Sequence, residues 1–143
     1  MSLSAVVVPS TVVLPLPIGG WTITVREELN HGQHTAMLAR MYHETDEGTL
    51  RVDALRTGDA LILAYLVDWT LTDQRGQRIE IRGLKPDQVQ DVLTNLRQWV
   101  AGEVKRAVEA HAKAVTAAAE EQKKTHSSGA SLPETLPSAA PAA

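Results

Sequence analysis

Residues 61–83, LILAYLVDWTLTDQRGQRIEIRG, decide how this chain folds. The segment begins with residues 61–67, which are apolar almost all round and therefore suit a helix that is buried on every side. Residues 70–73 and 78–82 are predicted to form two short strands, because the turn between them contains a glycine that is free to adopt a positive φ. The segment thus predicts a buried helix that leads directly into a β-hairpin.

The composition excludes several classes of function. The chain has 143 residues and a net charge of −3, from 14 basic and 17 acidic side chains, and its length suggests one domain. This charge balance argues against nucleic-acid binding, which usually needs a basic face, and it gives no electrostatic reason for binding an anionic membrane. Because cysteine is absent, disulfides, thiolate metal sites and cysteine nucleophiles are excluded.

Residues 1–20, the N-terminal arm, are rich in valine and leucine and are interrupted by Pro9, Pro15 and Pro17. The arm is too short and too broken for a membrane span, and it lacks the basic segment that opens a signal peptide. Since proline cannot donate to a β-ladder, the arm is predicted to form edge strands or an extended segment. Such an apolar arm packs either on its own core or on a partner.

Residues 21–124 are predicted to form a single α+β domain. Residues 21–26, WTITVR, alternate with the period of a strand and place Trp21, Ile23 and Val25 on its buried face. Asn30 is positioned to cap a helix that runs to residue 42. After an acidic turn at residues 44–48, a second helix is predicted to end at residue 67, with its start at residue 52 or at residue 57.

The closing part of the domain has the longest periodic pattern in the chain. Pro86 suits the first turn of a helix. Apolar residues then recur at steps of three and four: Val89, Val92, Leu93, Leu96, Val100, Val104, Ala107, Val108, His111 and Val115. This pattern predicts either one long helix to Lys124 or two helices with a break within residues 97–102.

The predicted fold class is therefore α+β and mainly helical. It comprises one or more N-terminal strands, two to three helices and a short β-hairpin. Residues 125–143 are rich in proline, serine and alanine, and such a composition predicts a disordered C-terminal tail.

The sequence offers few groups for catalysis or metal binding. His31 and His34 have the spacing of a pair on one helix face, with His43 further on, but a stable metal site needs three or four ligands. They are interpreted as a polar helix face. Asp68 has no identifiable second catalytic group and is expected to accept hydrogen bonds from the backbone of the following turn. We therefore expect that the protein has no enzymatic activity and binds neither a metal nor a cofactor. The disfavoured alternative is a small hydrolase that uses Asp68.

Aromatic residues make up 3% of the chain and phenylalanine is absent, so the few aromatic side chains are expected to anchor the packing. They are Trp21, Tyr42, Tyr65, Trp69 and Trp99. Trp69 lies between the predicted helix and hairpin and is expected to be a core anchor, with an interface hot spot as the alternative. The arginines of the hairpin, Arg75, Arg78 and Arg82, are interpreted as a solvated face because Asp73 and Glu80 lie among them.

Three segments together resemble the tail assembly chaperones of long-tailed bacteriophages. The first is residues 21–29, WTITVREEL, which run into the helix at residues 32–41. The second is residues 64–73, AYLVDWTLTD, followed by a glycine turn and a short strand. The third is the closing helix at residues 87–111. The resemblance covers residues 21–112 and rests on spacing and hydrophobicity.

The resemblance implies a small, mainly helical protein made in the host cytoplasm. Such a protein has no catalytic residues. It binds the tape measure protein during tail assembly, keeps it soluble, and helps tail tube subunits polymerise around it. A longer product made by ribosomal frameshifting is a further property of many members. The alternative is a structural minor tail or head–tail component of the virion.

A chaperone for a long apolar helical partner needs an accessible apolar groove. The expected partner-binding surfaces are the N-terminal arm and the end of the helix at residues 61–69. The residues expected to contact the partner are Leu61, Tyr65, Leu66 and Trp69. Self-association through the arm is left open.

Overall fold

The fold is α+β and mainly helical, as the sequence predicts. The computed structural model describes residues 4–130. Its elements are β1 (Thr11–Pro15), β2 (Thr22–Arg26), α1 (His31–Met41), β3 (Tyr42–Glu44), β4 (Leu50–Val52), α2 (Ala54–Tyr65), β5 (Leu66–Trp69), α3 (Pro86–Thr94) and α4 (Gln98–Ala130).

The chain divides into two compact units, Met1–Ala112 and Lys113–Ala143. The N-terminal arm therefore belongs to the first unit together with most of the predicted domain. The described part of the second unit is helical and belongs to α4. The division falls at residue 112, whereas the sequence predicts boundaries at residues 20 and 124.

The first unit is built on a three-stranded antiparallel sheet with the order β1-β2-β5. The central strand β2 has Ile23 and Val25 fully buried, at 0% exposure, which confirms the buried face predicted from its alternation. Strand β5 pairs with β2 through Ile23 opposite Trp69, and a bulge interrupts the pairing between Thr24 and Val25. Bulges of this kind bend a strand and are common at sheet edges.

The N-terminal arm packs on the chain's own core from residue 11 onward. Strand β1 is an edge strand, as its prolines predict. Leu16 is buried, and Val12, Leu14 and Ile18 pack against the same core. Of the two predicted alternatives, packing on the chain's own core is confirmed for this part of the arm. Val6, Val8 and Val13 are exposed.

Helix α1 begins with the predicted asparagine cap. The Asn30 side chain accepts a hydrogen bond from Gln33 N–H (2.8 Å), and the Gln33 side chain accepts one from Asn30 N–H (3.0 Å), which together form a capping box. The predicted acidic turn is also present, because Gly48 N–H donates to Thr45 O (2.9 Å) and Gly48 has a φ of 81°. The turn joins β3 to β4, two three-residue strands that are too short for a periodic signal.

The prediction of a helix through residue 67 is wrong, because α2 ends at Tyr65 and residues 66–69 form β5. An apolar run suits a buried helix and a buried strand equally, and here pairing with β2 decides the conformation. The helix begins at Ala54, between the two predicted starts. The carbonyl of Asp53 accepts its first hydrogen bond, from Thr57 N–H (2.9 Å).

The predicted hairpin after β5 is reduced to a turn and one isolated bridge, between Thr72 and Arg78. The turn is present, since Asp73 N–H donates to Gln77 O (2.8 Å) and Gly76 has a φ of 77°. The Asp73 carboxylate also accepts hydrogen bonds from the N–H groups of residues 75 and 77. These side-chain hydrogen bonds compete with a continuous strand ladder, so two full strands do not form.

The closing pattern forms two helices, which confirms the alternative with a break, although the break begins before the predicted residues 97–102. The break lies at residues 95–97, between α3 and α4. Pro86 occupies the first turn of α3 as predicted. Helix α4 continues to Ala130 rather than ending at Lys124. The remainder of the predicted disordered tail, residues 131–143, lies outside the described residues.

Among residues 4–130, no helix combines the length and the apolar character that crossing a membrane requires.

Candidate protein-binding groove

The residues predicted to contact a partner lie largely in the chain's own core. Trp69 is 1% exposed, Tyr65 5% and Leu66 8%, while Leu61 is partly buried against the same cluster. A partner would reach the three buried side chains only if part of this core opened. Their role in binding stays a prediction.

Trp69 is the core anchor that its position predicts. Its indole is among the largest fully buried side chains, and Nε1–H donates to Ile79 O at 2.7 Å. A buried indole N–H needs such a partner, because leaving it unpaired costs free energy. The hydrogen bond also ties β5 to the segment after the Asp73 turn.

Tyr65 ends α2 and packs against α4. Its ring meets the His111 ring edge-on, with centroids 5.5 Å apart. Aromatic pairs prefer this edge-to-face arrangement. The ring Nε2 of His111 lies 2.9 Å from Arg26 O at the end of β2. Burial, and secondly the negative charge of Glu28, raises the pKa of Tyr65 above its ordinary value of 10.0. Tyr65 is therefore suited to packing rather than to proton transfer near neutral pH.

Asp68 uses both carboxylate oxygens within the fold. Oδ1 accepts a hydrogen bond from Trp69 N–H (2.9 Å), and Oδ2 pairs with Arg78 Nη2 at 2.7 Å. Arg78 Nε–H also donates to Trp69 O at 2.8 Å. The first contact confirms that Asp68 accepts a backbone hydrogen bond, although the donor is the next residue of β5 and not the following turn that the sequence predicts. Arg75, Arg78 and Arg82 are all exposed, as their interpretation as a solvated face predicts, and the guanidinium of Arg78 is in addition held against β5.

The histidines of α1 do not form a metal site with their neighbours. His31 and His34 are exposed. In the part of the chain that the structure describes, no three His, Cys, Asp or Glu side chains are grouped so that they could hold a metal ion.

The described part of the chain contains a groove of about 680 Å³, here called the tryptophan groove. Three segments form its walls: the end of the β1–β2 connection, the turn after β5, and the junction of α3 with α4. Its lining residues include Trp21, Leu71, Asp73, Ile79, Arg97, Trp99 and Val100. Sequence reasoning did not identify this site.

Trp21 forms the first wall and is held by its backbone and its ring. Leu16 N–H donates to Trp21 O (2.9 Å), which closes the loop between β1 and β2. The loop turns through Gly19, whose φ is 63°, and a Cβ on Gly19 would lie 2.8 Å from the Trp21 ring. Only glycine therefore allows the indole to lie against the turn. Trp21 Nε1–H points to Thr72 Oγ1 at 3.3 Å, which links the first wall to the second.

The second wall is the turn that follows β5. Leu71 is buried at 1% exposure and forms part of the floor. Ile79 N–H donates to Leu71 O (2.8 Å), so the two apolar residues are fixed side by side. Asp73 and Gln74 are exposed at the rim. This wall therefore offers an apolar floor below a polar edge.

The third wall is created by the break between the closing helices. Arg97 O accepts the N–H groups of Val100 and Ala101, both at 3.0 Å, which starts α4. Val100 then points into the core at 5% exposure, while Trp99 is 56% exposed. Successive helix residues are about 100° apart around the axis, so burial of Val100 directs Trp99 outward. The expectation that Trp99 anchors the packing is therefore wrong.

The tryptophan groove has the composition of a protein-binding site. Tryptophan and arginine are enriched among residues that dominate binding energy, and Trp21, Trp99 and Arg97 are all present here. Within the described residues Arg97 forms no ion pair. Tyr42, also expected to pack, is 40% exposed on the β3–β4 hairpin.

No protein-family model, curated protein or solved structure matches this chain.

Proposed function

We propose that this chain is a tail assembly chaperone of a long-tailed bacteriophage. In this role it binds the tape measure protein in the host cytoplasm and aids assembly of tail tube subunits around it, without catalysing a reaction. The observation that carries the proposal is the exposed Trp99 at the tryptophan groove.

An exposed tryptophan favours association with another apolar surface. A tryptophan side chain buries about 150–250 Å² when fully covered. Trp99 is 56% exposed. Covering this exposed area with a partner would contribute on the order of 2–3 kcal/mol to the binding free energy, at about 25 cal/mol per Å². That contribution is comparable to the effect of a hot-spot residue in a protein interface.

The groove suits an amphipathic helix in particular. Leu71, Ile79 and Val100 give it an apolar floor, and Asp73 and Arg97 give its rim both signs of charge. Helices bind such grooves by inserting apolar side chains at positions i, i+3, i+4 and i+7 while their polar face stays solvated. Long apolar helical segments of this kind are what the resemblance implies for the tape measure protein.

The segments that carry the resemblance also build the groove. Residues 21–29 supply Trp21, residues 64–73 supply Leu71 and Asp73, and residues 87–111 supply Arg97 and Trp99. The resemblance and the groove geometry therefore involve the same parts of the chain. This coincidence supports a shared role in partner binding.

The test is co-expression of this chain with the tape measure protein encoded by the same genome. We expect the wild-type chain to keep the tape measure protein soluble and to co-elute with it in size-exclusion chromatography. Trp99→Ser removes the exposed indole, and a loss of about 2 kcal/mol would weaken binding about 30-fold. Isothermal titration with a soluble tape measure segment measures this change.

Leu50→Ser is the matched control, because Leu50 is 68% exposed and lies neither in the N-terminal arm nor in the groove. It should leave the affinity unchanged, and neither variant should lower the melting temperature by more than a few degrees, since both side chains are exposed. Equal affinity of Trp99→Ser and wild type would exclude the groove as the binding surface. Absence of any complex, together with recovery of this chain from purified virions, would favour the structural virion component instead.

A further inference from the structure

We propose that the outer edge of β1 is a self-association site at which β1 of one chain pairs in antiparallel fashion with β1 of a second copy. The pairing joins two three-stranded sheets into one continuous sheet. This inference does not depend on the proposed chaperone function.

The hydrogen bonds at both ends of β1 define which residues face outward. Ser10 O accepts from Glu27 N–H and Leu16 N–H donates to Trp21 O, both at 2.9 Å. In an antiparallel pair, alternate residues bond the neighbouring strand. The even-numbered residues of β1 therefore bond β2, and the odd-numbered residues direct their peptide groups to the outer edge.

Those outward residues are Thr11, Val13 and Pro15. Strand β1 ends the sheet, and no other strand pairs with this edge in the described part of the chain. Thr11 and Val13 each present an N–H donor and a C=O acceptor, whereas Pro15 presents only its C=O. A row of open backbone groups of this kind is a template for another strand.

Charged side chains usually protect such an edge, and here they are missing. No Asp, Glu, Lys or Arg occurs in residues 4–25, so β1 itself carries no charge. The charged residues opposite its start, Arg26 and Glu27, belong to the end of β2 and the residue after it, on the side away from the outer edge. Val13 is 60% exposed at the centre of the strand. Two copies can therefore approach through this edge without like-charge repulsion, even though each has a net charge of −3.

The edge is complementary to itself, which favours a second copy over an unrelated strand. When Val13 lies opposite the same residue of the second copy, each Val13 N–H meets the other Val13 C=O. Thr11 then lies opposite Pro15, so each Thr11 N–H donates to a Pro15 C=O. Every outward donor of β1 finds an acceptor, and the missing N–H of Pro15 ends the ladder. The exposed valines also cover each other as a cross-strand pair.

Analytical ultracentrifugation of the full chain over a concentration series tests the proposal. We expect the wild type to dimerise reversibly. Val13→Lys introduces a charge at the centre of the edge and should raise the dissociation constant about tenfold or more. Leu50→Lys is the matched control, because Leu50 is 68% exposed and lies on β4, outside the N-terminal arm, and it should dimerise like the wild type.

Val13→Pro provides a second, uncharged variant. It removes only an outward N–H, so the ladder between β1 and β2 is kept, and proline is tolerated on an edge strand in this orientation. It should weaken dimerisation as Val13→Lys does, with unchanged circular dichroism. A wild type that stays monomeric at about 100 μM, far above typical dissociation constants, overturns the proposal. So does a dimer that neither Val13 variant weakens, or an edge that binds a tape measure strand and never a second copy.

Discussion

The two edges of the three-stranded sheet are finished in opposite ways. On the β5 side, Thr70 N–H donates to Thr22 O (2.9 Å), so by alternation Trp69 directs its peptide groups away from β2. Both of these groups are bonded by side chains, N–H by Asp68 and C=O by Arg78. At Trp69, the outer edge of β5 is thereby closed to another strand.

On the β1 side, no side chain of the described residues forms a hydrogen bond with the outward backbone groups of Thr11 or Val13. The backbone groups of Thr11 and Val13 face outward, and residues 4–25 contain no charged side chain that could reach them. The β5 edge, in contrast, has Asp68 within the strand and Arg78 on the next turn. In this sheet the edge with charged residues close to it is closed at Trp69, and β1 is the edge that we propose for pairing.

The largest expected effect concerns Trp69, which anchors the closed edge. Trp69→Ala should lower the free energy of unfolding by about 3–5 kcal/mol, because it empties a fully buried site and leaves Ile79 O without its donor. Urea unfolding at equilibrium measures the loss. Trp99→Ala is the control, since Trp99 is 56% exposed, and it should change stability by less than about 0.5 kcal/mol. Similar losses for the two variants would contradict the anchor role.

A middle-sized effect should come from opening the closed edge. Arg78→Ala removes the donor to Trp69 O and the partner of Asp68. Hydrogen bonds to charged groups contribute about 1.5–3 kcal/mol, and we expect a loss at the lower end because the Arg78 side chain is 44% exposed. The open β5 edge should also make the variant associate more strongly at high concentration, which light scattering measures.

Arg75→Ala is the matched control for Arg78→Ala. Arg75 lies on the same turn, and in the described chain its guanidinium forms no ion pair. Its loss should change neither stability nor association. If the two variants behave alike, the side chain of Arg78 does not close the edge.

Local patterns in the sequence predict much of this fold. The alternation of β2, the Asn30 cap and the Pro86 start each depend on residues within one turn or one strand, so the sequence contains their full cause. The end of α2 is different. Leu66 and Val67 suit a helix or a strand equally. The choice depends on pairing with β2, which lies about forty residues earlier in the sequence, and such tertiary contacts outweigh local propensity.

The tryptophan groove was missed for a similar reason, although one signal was present. Val100, Val104 and Val108 define the buried stripe of α4, and Trp99 precedes Val100, so it falls outside that stripe. The spacing of these valines therefore indicates that Trp99 is exposed. The sequence does not predict the groove, because the walls come from three distant segments that meet only in the folded sheet.

The smallest expected effect lies in the turn that joins the open edge to the centre of the sheet. Gly19 and Gly20 both have positive φ, 63° and 66°; a Cβ on Gly19 would lie 2.8 Å from the Trp21 ring, whereas a Cβ on Gly20 would meet nothing within 4 Å apart from its two chain neighbours. Gly19→Ala and Gly20→Ala should share a backbone cost of about 1 kcal/mol. Gly19→Ala should add a further fraction of a kcal/mol and weaken Trp21 Nε1–H donation to Thr72, which near-ultraviolet circular dichroism of the indole would detect. Trp21 links the β1 side to the turn after β5 through its hydrogen bond to Thr72. A spectral change confined to Gly19→Ala would therefore show that the β1–β2 loop holds the indole in the position that this hydrogen bond needs. Identical spectra for the two variants would contradict that link.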